Sequence, residues 1–212
     1  MKVSGVGRIK VRWHRPYQGD VKTCRIVRKA GQWYVSLMCE VPDPVPLPET
    51  GRVVGIDMGI NVLITTSEGE QAHNPRWYRE AQAEPRRKQR KLQRAPKGSN
   101  QRKKKLLDVQ RQHEHVKNQR QDFFDKLVYD LVQTYDVIVL EDLKIKNMVK
   151  NRHLSKSFLD AGWGYFKQRL LDKVAGASRE VVLVDSAYTS KSCSNCGAIF
   201  EGLTAGTSLG RM

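Results

Sequence analysis

Along the chain, apolar positions recur every second residue, fill short runs completely, or fall at helical spacing, and these patterns divide it into segments. In Arg8-Ile9-Lys10-Val11-Arg12-Trp13 basic and apolar residues alternate, which predicts a half-buried strand with a cationic outer face. That face suits either a nucleic-acid backbone or plain solvent. Residues 23–28, the turn Lys29-Ala30-Gly31-Gln32 and residues 33–41 predict a hairpin with Trp33, Val35, Leu37 and Cys39 on one face. Cys39 then reads as a small core residue. Pro42-Asp43-Pro44-Val45-Pro46-Leu47-Pro48 predicts a semi-rigid extended linker and a domain boundary near residue 48.

The next run, Val53-Val54-Gly55-Ile56-Asp57-Met58-Gly59-Ile60, reads as a buried strand that ends on a single carboxylate with glycine on either side. A carboxylate there is costly unless something pairs with it, and Gly59 leaves the backbone open to a ligand or metal. Asn61-Val62-Leu63-Ile64-Thr65-Thr66 is strand-like again, and Ser67-Glu68-Gly69-Glu70 is a turn. An acid-bearing central strand followed at once by a hairpin is how an RNase H-like fold begins. Residues 75–135 turn helical, with a break near Pro96-Lys97-Gly98-Ser99-Asn100, and predict a helical hairpin. Phe123, Phe124, Leu127, Val128, Leu131, Val132 and Tyr135 fall on one face that packs on a sheet. Upstream, the basic residues show no apolar partner stripe, so that half is expected to project into solvent or along a nucleic-acid backbone. His113 and His115 flank Glu114, a spacing that does not put two imidazoles on one helical face.

Asp136-Val137-Ile138-Val139-Leu140-Glu141-Asp142-Leu143 repeats the logic of the first acid-bearing strand. Two such strands joined by a helical crossover lie side by side in parallel, with Asp57 and Glu141 at their C-terminal ends. Paired carboxylates are the hard oxygen ligands Mg²⁺ prefers, and phosphodiester cleavage uses such a cluster. Asp142 is expected to face away or to cap the next turn. Residues 157–175 form an amphipathic helix through Phe158, Leu159, Trp163, Phe166, Leu170, Leu171 and Val174. Val181-Val182-Leu183-Val184 is a further buried strand ending in Asp185.

Charge sharpens this picture. Lys+Arg 38 against Asp+Glu 22 gives a net +16. Residues 76–120 contain 16 Lys/Arg and 4 Asp/Glu, so +12 of the +16 lies there. A concentrated positive segment points to a polyanion, through phosphate neutralisation and counterion release. Arg102, Lys103, Lys104, Lys105, Arg111, Lys117 and Arg120 are the candidate contacts. No run reaches the length of a membrane span, and Met1-Lys2-Val3-Ser4 begins no apolar signal region, which together predict a soluble, cytoplasmic protein. Of the four cysteines only Cys193 and Cys196 form a Cys-x-x-Cys, half of a zinc knuckle that wants two further ligands.

Taken together, Val54-Gly55-Ile56-Asp57-Met58-Gly59, Asn118-Gln119-Arg120-Gln121-Asp122-Phe123 and Val139-Leu140-Glu141-Asp142-Leu143 resemble the TnpB (OrfB) proteins of insertion sequences. Tyr188-Thr189-Ser190-Lys191-Ser192-Cys193-Ser194-Asn195-Cys196-Gly197 is similar to the start of that family's zinc ribbon. The resemblance implies a transposon-encoded, RuvC-like, RNA-guided DNA endonuclease related to type V CRISPR effectors, with guide RNA and target DNA as partners. It implies that Asp57 and Glu141 match the first two RuvC carboxylates, and that the N-terminal sheet belongs to a wedge-like barrel.

The expected fold is therefore α/β. A wedge-like β-barrel-like sheet and linker (1–48) precede an RNase H-like (RuvC) mixed sheet (49–187) carrying the basic helical hairpin 75–135. A partial zinc ribbon (188–212) follows. Departures from the family pattern are a shorter N-terminal part, no second Cys-x-x-Cys and no third catalytic carboxylate. They predict a protein truncated at both ends, with Mg²⁺ weakly held, Zn²⁺ at Cys193 and Cys196 incompletely ligated, and weak or no cleavage. Asp185 is the one candidate substitute for the missing acid. The alternative is a nuclease-dead RNA- or DNA-binding regulator.

Overall fold

The computed structural model describes residues 1–75, 83–144 and 162–185. The chain folds as two compact units, one made of Met1–Val45 and Trp77–Gln121, the other of Pro46–Arg76 and Asp122–Met212.

The first unit opens with β1 (Lys2–Val3) and β2 (Gly7–Arg8), a two-stranded antiparallel ribbon. Of the alternating run from Arg8 to Trp13, only Arg8 is in a strand. Met1 and Ile9 still exchange hydrogen bonds at the end of that ribbon, but residues 11–13 pair with no strand among the described residues. Alternation supplied a face, but a strand also needs a neighbour for its backbone N–H and C=O groups. A separate hairpin joins β3 (Asp20–Lys29) to β4 (Gln32–Glu40). Its two-residue turn is Ala30-Gly31, both at positive φ (46° and 80°), which matches the right-handed twist of the flanking strands. Val35, Leu37 and Cys39 are half-buried, while Trp33 is exposed under the Arg28 guanidinium, 5.7 Å above its ring. The expected barrel-like sheet is thus two separate two-stranded ribbons among the described residues. Most positions of β3 and β4 are exposed, and no further strand among the described residues pairs with either edge of the hairpin.

The helical hairpin of this unit comprises α1 (Ala83–Gln93) and the first part of α2 (Asn100–Thr134). The Lys88 ammonium donates to the Gln112 side-chain carbonyl at 2.7 Å, and Arg102 Nη1 donates to the Leu92 and Ala95 carbonyls at 3.0 Å each. Val109 and Val116 are buried, seven residues apart on α2, together with Leu92 and Ala95. The basic half of α2 therefore does own a narrow apolar seam, contrary to the sequence expectation; two valines a heptad apart are easily lost among so many charges.

The second unit is built on a five-stranded mixed sheet in the order β7-β6-β5-β8-β9. The strands are β5 (Val53–Asp57), β6 (Val62–Thr66), β7 (Gln71–His73), β8 (Val137–Glu141) and β9 (Glu180–Val184). β5, β6 and β7 form an antiparallel meander, and β8 and β9 add in parallel to the other edge of β5. The β5–β6 turn is tight enough that a Cβ on Gly59 would lie 2.5 Å from the Val62 carbonyl oxygen, so only glycine fits there.

One face of the sheet packs on helices. Val54, Ile56, Leu63, Ile138 and Leu140 meet Phe124, Val128, Leu131 and Val132 of α2 and Phe166, Leu170 and Val174 of α3 (Trp163–Val174). The expected apolar face at 123–135 is this contact. Phe124 and Phe166 are fully buried with ring centroids 5.7 Å apart, each contributing about 2–3 kcal/mol by burial. Asp125 ties the two helices, accepting from Tyr165 Oη at 3.0 Å and Arg169 Nε at 2.7 Å. Phe158 and Leu159, expected to begin the helix, lie outside the described residues.

At the N-terminal end of β8 a buried arginine gathers several segments. Arg179 Nη2 donates to the Pro48 carbonyl at 2.7 Å and Nε to the Val132 carbonyl at 3.1 Å, while Nη1 pairs with Asp136 at 2.8 Å, off-angle for a hydrogen bond. Asp136 also accepts from the Thr50 and Gly51 N–H groups and the Thr50 hydroxyl. The end of the proline-rich linker is fixed to the sheet in this way.

Candidate active site

The other end of the same strands is where the two acids meet. β5 and β8 run parallel with Val54 opposite Ile138 and Ile56 opposite Leu140, so the next residues, Asp57 and Glu141, lie side by side. Adjacent strands are about 4.8 Å apart, a spacing two carboxylates can bridge with one cation. Strand alternation explains why both acids are available. Val54, Ile56, Ile138 and Leu140 point into the helical layer, so Gly55, Asp57, Val139 and Glu141 fall on the opposite face. There they line an open pocket of about 320 Å³ together with Thr65, Ser67 and Val184. Neither acid is buried, and among the described residues neither carboxylate takes a hydrogen bond or ion pair.

Gly55 matters to the pocket as well as to the strand. On β5 it is the position that shares a face with Asp57, and with no side chain it leaves the approach to that acid clear. Its N–H donates to the Ser67 hydroxyl at 3.1 Å, and the Ser67 N–H returns a bond to the Gly55 carbonyl at 2.8 Å. Thr65 is the register partner of Asp57 on β6. Sequence reading missed these two hydroxyls, although alternation through β6 places them on the face of Asp57 once the hairpin register is known.

Asp142 turns the other way, as expected, and forms an ion pair with Lys167 on α3. The hydrogen bond from that lysine, then its charge, holds the Asp142 carboxyl below the usual carboxylate range. Asp185 lies one residue beyond β9, whose Val184 is the register partner of Glu141. In the same register Asp185 falls beside Asp142, and β8 separates it from the strand of Asp57. The structure brings Asp57 and Glu141 together and leaves Asp185 apart.

The basic candidates lie on α2 in the first unit. Lys103, Lys104, Arg111 and Lys117 are exposed, and Lys105 and Arg120 are half-buried. Arg102 is engaged with the two carbonyls that close the hairpin. Cys193 and Cys196 lie outside the described residues. Among the described residues no helix is long and apolar enough to cross a membrane.

Residues 36–152 match the OrfB_IS605 family model, described as "Probable transposase", and residues 163–211 match the "Cas12f1-like, TNB domain" model. A Streptomyces pristinaespiralis protein named "Putative RNA-guided DNA endonuclease" is 38% identical over 196 residues, covering 90% of this chain and 48% of the relative. InsQ of Escherichia coli (strain K12), given the same description, is 30% identical over 91% of this chain and 52% of its own length. The chain thus spans about half the length of the curated relatives it matches. Among solved structures, the Cas12f1–sgRNA–target DNA complex superimposes with a TM-score of 0.56 at 16% identity, over 80% of this chain and 36% of that one. The matched family region contains both strands that carry Asp57 and Glu141 and the basic helix between them, and the chain belongs to the OrfB (TnpB) family of transposon proteins.

Proposed function

We propose that the protein is a RuvC-like nuclease unit of the RNase H type, acting on DNA under the direction of a bound RNA, with Asp57 and Glu141 as its acidic pair. The observation that carries this reading is their juxtaposition at the ends of adjacent parallel strands, with both carboxylates uncommitted and opening on one pocket. The relatives' names and the nucleic acids in the Cas12f1 complex support the choice of partners. A cytoplasmic location belongs to the same proposal.

The donor set fits Mg²⁺ in kind, being two hard carboxylate oxygens on rigid strands. When bound, such an ion stabilises charge on the phosphoryl oxygens and lowers the pKa of an attacking water. Among the described residues no group of three or more His, Cys, Asp or Glu converges to hold a metal. Held by Asp57 and Glu141 alone, such an ion would be bound weakly and cleavage would be slow. Asp57 and Glu141 would hold the ion, and the Thr65 and Ser67 hydroxyls lie where they can donate to a phosphate oxygen; the cations of α2, in the other unit, are a separate surface for a nucleic-acid backbone.

The test is cleavage of a fluorescent single-stranded DNA by the purified chain in Mg²⁺ or Mn²⁺. Slow, metal-dependent cleavage that disappears in both Asp57→Ala and Glu141→Ala is expected. Cleavage that survives in either variant would exclude the pair, and salt-sensitive RNA binding without any cleavage would make the chain a binding regulator.

A further inference from the structure

We propose that the loop between β2 and β3 carries a stacking site for an unpaired base of single-stranded nucleic acid, formed by Trp13 and Tyr17. The two rings are 53% and 56% exposed, although an indole and a phenol are among the side chains that gain most from burial. Their centroids lie 5.7 Å apart at an interplanar angle of 45°, so they form a tilted corner with open ring faces. His14, Arg15 and Pro16 line the same open pocket, of about 370 Å³. Pro16 fixes its own φ and restricts the short chain between the rings.

The charge around this corner matches a sugar-phosphate backbone. Residues 7–17 contain Arg8, Lys10, Arg12 and Arg15 and no acid, and all four cations are exposed. Aromatic faces set within a cationic surface are how single strands are held without sequence readout: each base offers a π-face, and each flanking phosphate is neutralised. A duplex cannot use the corner, because stacking already covers its base faces. A membrane surface fits poorly, since two rings without an aliphatic face bury little area in lipid. The site lies in the first unit and uses neither Asp57 nor Glu141, so it stands or falls apart from the nuclease reading.

Fluorescence anisotropy on the full chain tests it, with labelled single-stranded RNA, single-stranded DNA, an abasic strand of equal length and a DNA duplex. Trp13→Ala should weaken binding of the base-bearing single strands roughly tenfold while changing the abasic strand and the duplex by less than about twofold. Trp13→Phe should restore most of the loss, and Tyr17→Ala should act in the same direction more weakly. Of RNA and DNA, the strand that loses more identifies the natural ligand. Unchanged affinity of Trp13→Ala for both single strands, or an equal loss on the abasic strand, would overturn the proposal. Unchanged abasic binding also shows that the variant's basic surface is intact.

Discussion

The two ends of β8 treat their acids in opposite ways. At its start Asp136 accepts from the Thr50 and Gly51 N–H groups and the Thr50 hydroxyl and is ion-paired with the buried Arg179. At its end Glu141 lies beside Asp57 with no partner among the described residues, over an open pocket. One strand thus carries an acid whose hydrogen bonds hold the fold and an acid left free to act on something else. A stabilising carboxylate must be satisfied by the chain itself, whereas a functional one must stay unsatisfied until its ligand arrives.

Breaking the satisfied end should have the largest effect on stability. Arg179→Leu leaves the Pro48 and Val132 carbonyls without their buried donor and Asp136 without its ion-pair partner, and the two lost carbonyl bonds should cost on the order of 3 kcal/mol in denaturant unfolding. A loss close to zero would show that the linker end is not held by this residue. The acid limb gives the next effect. The Thr50 N–H is the main influence holding the Asp136 carboxyl below the usual carboxylate range; the Gly51 N–H, the Thr50 hydroxyl and the Arg179 charge add to it, against partial burial. Because the folded pKa is depressed, the stabilisation is complete above the unfolded value and is lost as pH falls through the folded one. The unaltered protein should therefore lose stability below about pH 4 more steeply than Asp136→Asn does. Parallel acid limbs would remove Asp136 from the account. The smallest effect belongs to the free end: Asp57→Asn should leave the thermal midpoint unchanged or slightly raised, since it removes no hydrogen bond and relieves repulsion from Glu141. A marked drop would mean that Asp57 is structural.

Much of this contrast was legible in the sequence, for identifiable reasons. Val53–Asp57 and Val137–Glu141 are apolar runs that each end on one acid, and a helical crossover between them dictates parallel pairing, so the meeting of Asp57 and Glu141 followed from order alone. The apolar face at 123–135 was equally plain. The Arg179 cluster was not, because a lone arginine before a strand looks like any surface cation until Pro48, Val132 and Asp136 are folded around it. The N-terminal run misled for the opposite reason: its alternation was real, but among the described residues no neighbouring strand extends past Arg8. The seam of Val109 and Val116 and the hydroxyls of Thr65 and Ser67 needed a partner helix and a register to gain meaning.

The central claim is that Asp57 and Glu141 together form a divalent-cation site, and Mn²⁺ titration of the purified chain, followed by the paramagnetic signal of the free ion, tests it most directly. The account predicts weak binding by the unaltered protein, lost in Asp57→Asn and in Glu141→Gln but retained in Asp185→Asn. An identical titration for the unaltered protein and the Asp57→Asn, Glu141→Gln double variant would contradict it.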